Sequence, residues 1–165
     1  GPMFYYQCRV GVGGREFMMV KFRSMVVGAD STSLVGSEDP RITRVGRWLR
    51  STSLDELPQL INVLRGEMSI VGPRPALPEM VPHYTEEERR RQDVKPGLTG
   101  WAQVNGRNSL PYYERLRLDA WYVRHWSLWL DLTILIRTIP VLLRGRGLSQ
   151  DDPRPWEHRP RSGSN

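Results

Sequence analysis

Two adjacent carboxylates, Asp55 and Glu56, close the run Ser53-Leu54-Asp55-Glu56. The Ser-x-x-Glu spacing predicts a capping box, and Leu57, Leu60, Ile61 and Leu64 follow at helical intervals. Both acids then fall in the first turn of a helix. Unpaired N–H groups and the helix dipole there favour anions and keep a carboxylate ionised. Pro58 lies near that start, where a missing N–H costs least, and the helix is expected to end near Gly66. A pair placed this way has a plain use as cap and surface. It also has a chemical use. A carboxylate that attacks phosphorus forms an aspartyl-phosphate and splits one hard phosphoryl transfer into two easier ones, with its neighbour as metal ligand or base. Such a site needs cations on the transferring group. Lys21, Arg23, Arg50 and Arg74 surround the pair in sequence, and Mg²⁺ suits a site of few carboxylates plus substrate phosphates.

The elements that would carry these groups can be read from pattern. Residues 4–10 and 16 onward read as two strands joined by the turn Gly11-Val12-Gly13-Gly14, a hairpin that carries Lys21. Its glycines do not make a dinucleotide fingerprint, because the last required glycine falls on Glu16. Residues 28–40 read as a loop. Residues 41–50 read as a helix with Ile42, Val45, Trp48 and Leu49 on its apolar side and Arg41, Arg44, Arg47 and Arg50 on the other. That stripe is either a solvated basic face or an anion-facing one that leads into the acidic pair. Met68-Ser-Ile-Val-Gly-Pro-Arg-Pro75 reads as a short buried strand breaking into a rigid loop, with prolines on both sides of Arg74. Residues 76–93 are helical in pattern, and their run Glu86–Arg91 reads as a solvated face paired at i, i+4. Residues 95–108 read as loop, strand and loop built for close backbone approach. Helices are expected at 110–126 and 127–144, the second largely apolar and suited to an interface, and a disordered tail at 150–165.

Composition sets the outer limits. The chain has 165 residues, room for one domain with a real core, and 39% hydrophobic against 25% charged residues. Its net charge is +6, carried by 22 Arg and 2 Lys. Arginine grips phosphate bidentately, so nucleic acid, an anionic membrane and a phosphate-bearing substrate are all admissible partners. The single Cys8 excludes an intramolecular disulfide framework, and His83, His125 and His158 show no metal-ligand spacing. No signal peptide is visible, and no run of 18 apolar residues supports a transmembrane helix.

Several long motifs occur in order: Gly1-Pro-Met-Phe-Tyr-Tyr-Gln-Cys-Arg-Val-Gly11, Lys21-Phe-Arg-Ser-Met25, Ser53-Leu-Asp-Glu-Leu-Pro-Gln-Leu60, Asn62-Val-Leu-Arg-Gly66, Met68–Pro75, Pro96-Gly-Leu-Thr-Gly-Trp-Ala-Gln-Val-Asn-Gly-Arg-Asn108 and Trp126-Ser-Leu-Trp-Leu-Asp-Leu132. Over about residues 1–149 the chain resembles the bacterial sugar transferases, the monotopic phosphoglycosyl transferases. The resemblance implies transfer of a sugar 1-phosphate from a UDP-sugar to undecaprenyl phosphate with release of UMP, the first membrane step of glycoconjugate assembly. It implies Mg²⁺ and a covalent phosphosugar–Asp intermediate. Carried over by position, Asp55 is the nucleophile, and Glu56 places Mg²⁺ or deprotonates the lipid phosphate; both acids are candidate metal ligands. Lys21, Arg50 and Arg74 are the expected phosphate contacts, with Arg107 and Asp131 in support, Asp131 being equally readable as a buried partner for an arginine.

The resemblance further implies a catalytic domain over 1–149, α+β in class. A small antiparallel sheet with the hairpin is surrounded by helices, some of them amphipathic and lying at the membrane interface. Trp48, Trp121, Trp126 and Trp129 are candidates for the headgroup level, against ordinary core packing. The run Ser109–Tyr122 is most like the small single-domain members. Family members carry a hydrophobic re-entrant helix before the Gly-Pro strand. The expectation is therefore an N-terminally truncated chain, soluble or peripheral, from a protein of the cytoplasmic face of the bacterial inner membrane. Two other readings stand beside this one. A nucleic-acid-binding module would fit the charge and the interleaved Trp and Arg, but no such motif supports it, so no nucleic-acid partner is expected. A non-catalytic membrane-surface scaffold would fit the fold, but the intact acidic pair opposes it.

Overall fold

The computed structural model describes residues 1–29, 39–106 and 110–143. The expected tail at 150–165, part of the 28–40 loop and Arg107 lie outside them. Strands β1 (Phe4–Val10) and β2 (Glu16–Phe22) pair antiparallel from Phe4↔Phe22 to Val10↔Glu16. The aromatic and β-branched residues fit a pleated surface, and Phe4 stacks on Phe22 at 5.6 Å. Gly13 and Gly14, with φ of 63° and 77°, make the turn between them.

Helix α1 (Arg44–Ser51) begins three residues later than the pattern implied, because Thr43 is its N-cap and accepts from the Gly46 N–H at 2.9 Å. Its expected apolar side divides: Ile42, just before the helix, is buried and Leu49 half-buried, whereas Val45 and Trp48 are 67% and 58% exposed. The helix touches the body through Gly46. A Cβ there would lie 1.9 Å from the Ser24 carbonyl oxygen.

A 3₁₀ segment (Leu54–Gln59) then runs into α2 (Leu60–Leu64), and Gly66 with φ 78° ends the helical stretch, as its position implied. Strands β3 (Ser69–Val71) and β4 (Gly97–Thr99) form a separate parallel pair that the pattern did not foresee. The close backbone approach expected in 95–108 is present. A Cβ on Gly97 would lie 2.1 Å from the Gly72 nitrogen, and one on Gly100 would lie 2.2 Å from the Gly72 oxygen.

The helical pattern at 76–93 breaks into a 3₁₀ turn (Pro78–His83), α3 (Glu86–Arg89) and a second 3₁₀ turn (Arg90–Gln92). Pro82 interrupts the ladder, and the Thr85–Glu88 capping box restarts the helix. Short α4 (Trp101–Val104) precedes the long helices α5 (Tyr112–Arg124) and α6 (Leu128–Leu143). The class is α+β, as expected.

Two buried clusters hold these parts. Val10, Ala76, Met80, Tyr84 and Leu116 join β1 to the middle segment and α5. Val71, Tyr122 and Ile134 join the β3–β4 pair to α5 and α6. Among the described residues no helix is long and apolar enough to cross a membrane. Much of α6 faces outward, with Leu128 and Trp129 both 77% exposed and Ile136 60%.

Candidate active site

The acidic pair reaches its place by a route other than the expected capping box. Ser53 is in the left-handed region, at φ 58°, and its side chain caps nothing. The chain turns sharply there, and the Glu56 N–H donates back to the Ser53 carbonyl at 3.2 Å, a 3₁₀ bond. Pro58 lies inside this winding and leaves one bond of its ladder unmade. Asp55 and Glu56 lie in its first turn.

Strand β2 is fastened beside this turn by one fully buried side chain, Asn62. Its Oδ1 accepts from the Val20 N–H at 3.1 Å, and its Nδ2 donates to the Met18 carbonyl at 2.8 Å and to Glu67 at 2.7 Å. Lys21 follows Val20 directly, so this clamp sets it against Glu56. The Lys21 Nζ is 3.1 Å from Glu56 Oε1, and the Arg74 Nη2 is 3.0 Å from the same oxygen.

These groups line one cleft of about 870 Å³, open to solvent, with Asp55 and Arg50 beside them. Lys21, Arg50, Arg74, Asp55 and Glu56, singled out from sequence, are thus brought together. Arg50 presents Nη1 buried and without a hydrogen-bond partner among the described residues. Asp55 is 9% exposed, and no hydrogen bond or ion pair among the described residues ties its oxygens.

The two carboxyls are driven apart electrostatically. Burial, then the neighbouring charge of Glu56, pushes the Asp55 carboxyl above its ordinary range, against Lys21, Arg50 and Arg74. The helix-start reading led us to expect the opposite for a carboxylate here. Burial works the same way on Glu56, but Arg74 and Lys21 outweigh it and hold that carboxyl well below its ordinary range. Burial also lowers Lys21, partly offset by Glu56.

Other expectations fare differently. Of the arginine stripe, Arg50 lines the cleft, whereas Arg41 pairs with Asp39 at 2.7 Å and Arg44 and Arg47 are exposed. Asp131 is not among the residues that line the cleft and has no arginine partner among the described residues. It accepts from the Tyr122 hydroxyl at 2.7 Å and the Trp126 indole N–H at 3.2 Å. The run Glu86–Arg91 is not wholly solvated, because Arg91 is 7% exposed and bonded to Asp119 at 2.7 Å.

Arg9, Tyr84, Arg91, Tyr112 and Asp119 line the cleft and were not foreseen. For most of them no local signal exists, since their partners are far along the chain. Asp119 did carry one: it is a charge on the same buried face of α5 as Leu116 and Ala120.

The donor set suits Mg²⁺ of the kind that binds few carboxylates and completes its shell with phosphate oxygens. Asp55 is untied, and Glu56 directs both cations to one oxygen, leaving Oε2. Among the described residues there is no cluster of three or more acidic, His or Cys ligands, so a metal held here would need further ligands from elsewhere.

The family model for bacterial sugar transferases matches residues 1–145. An uncharacterized sugar transferase EpsL of Bacillus subtilis is 48% identical over 149 residues, covering 90% of this chain and 74% of that one. A UDP-glucose:undecaprenyl-phosphate glucose-1-phosphate transferase of Xanthomonas campestris pv. campestris is 50% identical, and an undecaprenyl-phosphate galactose phosphotransferase of Salmonella typhimurium 44%. The alignments take in 84% and 89% of this chain but 31% and 34% of those proteins, so the chain spans about a third of their length. With the family model running through the whole described fold, including every element of the cleft, the chain belongs to the bacterial sugar transferases.

Proposed function

We propose that this chain is the catalytic unit of an enzyme that moves a sugar 1-phosphate from a UDP-sugar to undecaprenyl phosphate and releases UMP. The observation that carries the reading is an untied carboxylate, Asp55, in a cleft with Lys21, Arg50 and Arg74. The activities for which the Xanthomonas and Salmonella relatives are named support the same chemistry.

In the first step an Asp55 carboxylate oxygen attacks the phosphorus that bears the sugar. The bond from that phosphorus to the bridging oxygen breaks, and UMP leaves with the electron pair. In the second step an oxygen of the lipid phosphate attacks the same phosphorus, and the Asp55 carboxylate is released unchanged. The raised affinity of Asp55 for protons makes it a stronger nucleophile once ionised, and the three cations both favour that ionised form and balance charge gathering on the phosphoryl oxygens.

Glu56, held as a carboxylate by Lys21 and Arg74, is a poor proton acceptor. Its task in this reading is to orient those two cations. Mg²⁺ would be held by Asp55 and Glu56 and, when bound, would neutralise the diphosphate. The outward apolar side of α6 would lie among lipid headgroups, with Trp129 at the boundary.

Asp55→Asn is expected to abolish UMP release and covalent labelling by a radiolabelled UDP-sugar in the full-length protein. A labelled adduct that persists in Asp55→Asn removes Asp55 as nucleophile.

A further inference from the structure

Arg74 sits between Pro73 and Pro75, on a loop whose successive carbonyls are all held. The Pro73 carbonyl accepts from the Gly97 N–H at 2.9 Å, and the Ala76 carbonyl from the Val10 N–H at 2.9 Å. The two between them are taken by buried arginines. Arg91 Nη2 donates to the Arg74 carbonyl at 2.6 Å, and Arg9 Nη1 donates to the Pro75 carbonyl at 3.0 Å. Arg91 is itself fixed. Its Nη2 also donates to Asp119 Oδ2 at 2.7 Å, and its Nη1 to the Tyr84 hydroxyl at 2.9 Å.

A buried guanidinium is costly unless each face of its fork finds a partner. Here one of those partners is the backbone of the residue that carries a cation into the cleft. Lysine could not do the same, because one ammonium does not span a carboxylate, a phenol and a carbonyl in a fixed plane.

We propose that Arg91, braced by Asp119 on α5, is a positioning residue that fixes the backbone of Arg74 and so delivers the Arg74 guanidinium to Glu56 and to a phosphate in the cleft. The part about phosphate rests on the function proposed above. The part about Arg74 does not. Small errors of placement weigh heavily in such a site, since a shift of about 1 Å can cost about a hundredfold in rate. The run Glu86–Arg91 thus contributes one member to the interior, and α5 is coupled to the Arg74 loop through it.

The test compares Arg91→Lys, Arg74→Lys and the double variant, with Asp119→Asn as a milder loosening of the same brace that keeps size and shape. Two readouts are needed. The first is solvent exchange of the Arg74 guanidinium protons by ¹⁵N NMR, assigned by their absence in Arg74→Lys. Arg91→Lys is expected to speed this exchange by about tenfold or more, and Asp119→Asn by less. The second is UMP release by the full-length protein. Each single Arg variant is expected to lose about tenfold to a hundredfold, and the double no more than Arg74→Lys alone. If Arg74 exchange is unchanged in folded Arg91→Lys or, should that variant not fold, in Asp119→Asn, the proposal fails whatever the activity. Losses that multiply in the double variant overturn it too, because Arg91 would then act on substrate by itself. A wild type that releases no UMP refutes the proposed function, while the exchange measurement still decides the role of Arg91.

Discussion

Glu56→Gln replaces a carboxylate by an amide of the same shape, and the structure sets its expected cost. Two cations share Oε1 of Glu56, at 3.1 Å and 3.0 Å, and the side chains of Glu56, Lys21 and Arg74 are 13%, 15% and 27% exposed. Removing one partner from a buried ion pair costs about 3–5 kcal/mol, chiefly because the remaining charge is left uncompensated. Two features reduce this. The amide oxygen of Gln still accepts, and solvent reaches Arg74 enough to screen part of its charge. About 2–3 kcal/mol remains. For a chain of this size that lowers Tm by roughly 5–10 °C, measurable by calorimetry or urea titration.

The pH dependence has a definite sign. The folded Glu56 carboxyl is held below its unfolded value. Its contribution is therefore complete above the unfolded pKa of about 4.3 and disappears as pH falls through the lower folded value. The gap between wild type and variant should be constant from pH 7 to about pH 5 and narrow below that. Adding Lys21→Met to Glu56→Gln should restore part of the loss by removing one uncompensated cation. A Tm change under about 1 °C at pH 7, or a double variant that is less stable than Glu56→Gln, would refute the reasoning.

Two further outcomes follow from the packing. Asn62→Ala removes the side chain that answers the Val20 N–H, the Met18 carbonyl and Glu67, and should cost about 3 kcal/mol in urea denaturation with Lys21 loosened from Glu56; a loss below about 1 kcal/mol would show that water replaces it. Trp129→Ala should leave urea stability within about 0.5 kcal/mol, because the ring is 77% exposed, yet weaken partitioning to anionic vesicles by about tenfold; unchanged partitioning would detach α6 from the membrane reading.

The hairpin, the strand before Gly72, both long helices and the five groups of the acidic cleft were legible in sequence. The elements depend on local pattern, and the acidic pair on a contiguous motif; Lys21 and Arg74, 35 and 18 positions from Glu56, were assigned to the site through the family resemblance. What was not legible depends on pairing at a distance that no motif marks. The Arg91–Asp119 bond joins residues 28 positions apart, and a charge run gives no hint that its last member turns inward. The parallel β3–β4 pair rests on glycines that let two backbones touch, which hydropathy does not record. Ser53 departs from its expected role for a similar reason. A Ser-x-x-Glu spacing fits a cap only if the serine is extended, and here it is left-handed. Val45 and Trp48 follow a helical period, but the face they form meets no core.

The winding of Leu54–Gln59 has a geometric consequence of its own. At three residues per turn, neighbours stand about 120° apart and positions three apart eclipse. The segment is therefore a triangular prism with three edges. Asp55 stacks with Pro58 on one edge and Glu56 with Gln59 on the next; Asp55, Pro58 and Gln59 are buried and Glu56 nearly so. The third edge holds Leu54 and Leu57 and runs on to Leu60, and Leu57 and Leu60 are 47% and 43% exposed. An α-helix, at about 100° per residue, would smear these edges into one another. The 3₁₀ winding thus keeps a greasy outer edge and a charged inner pair apart over two short turns of chain.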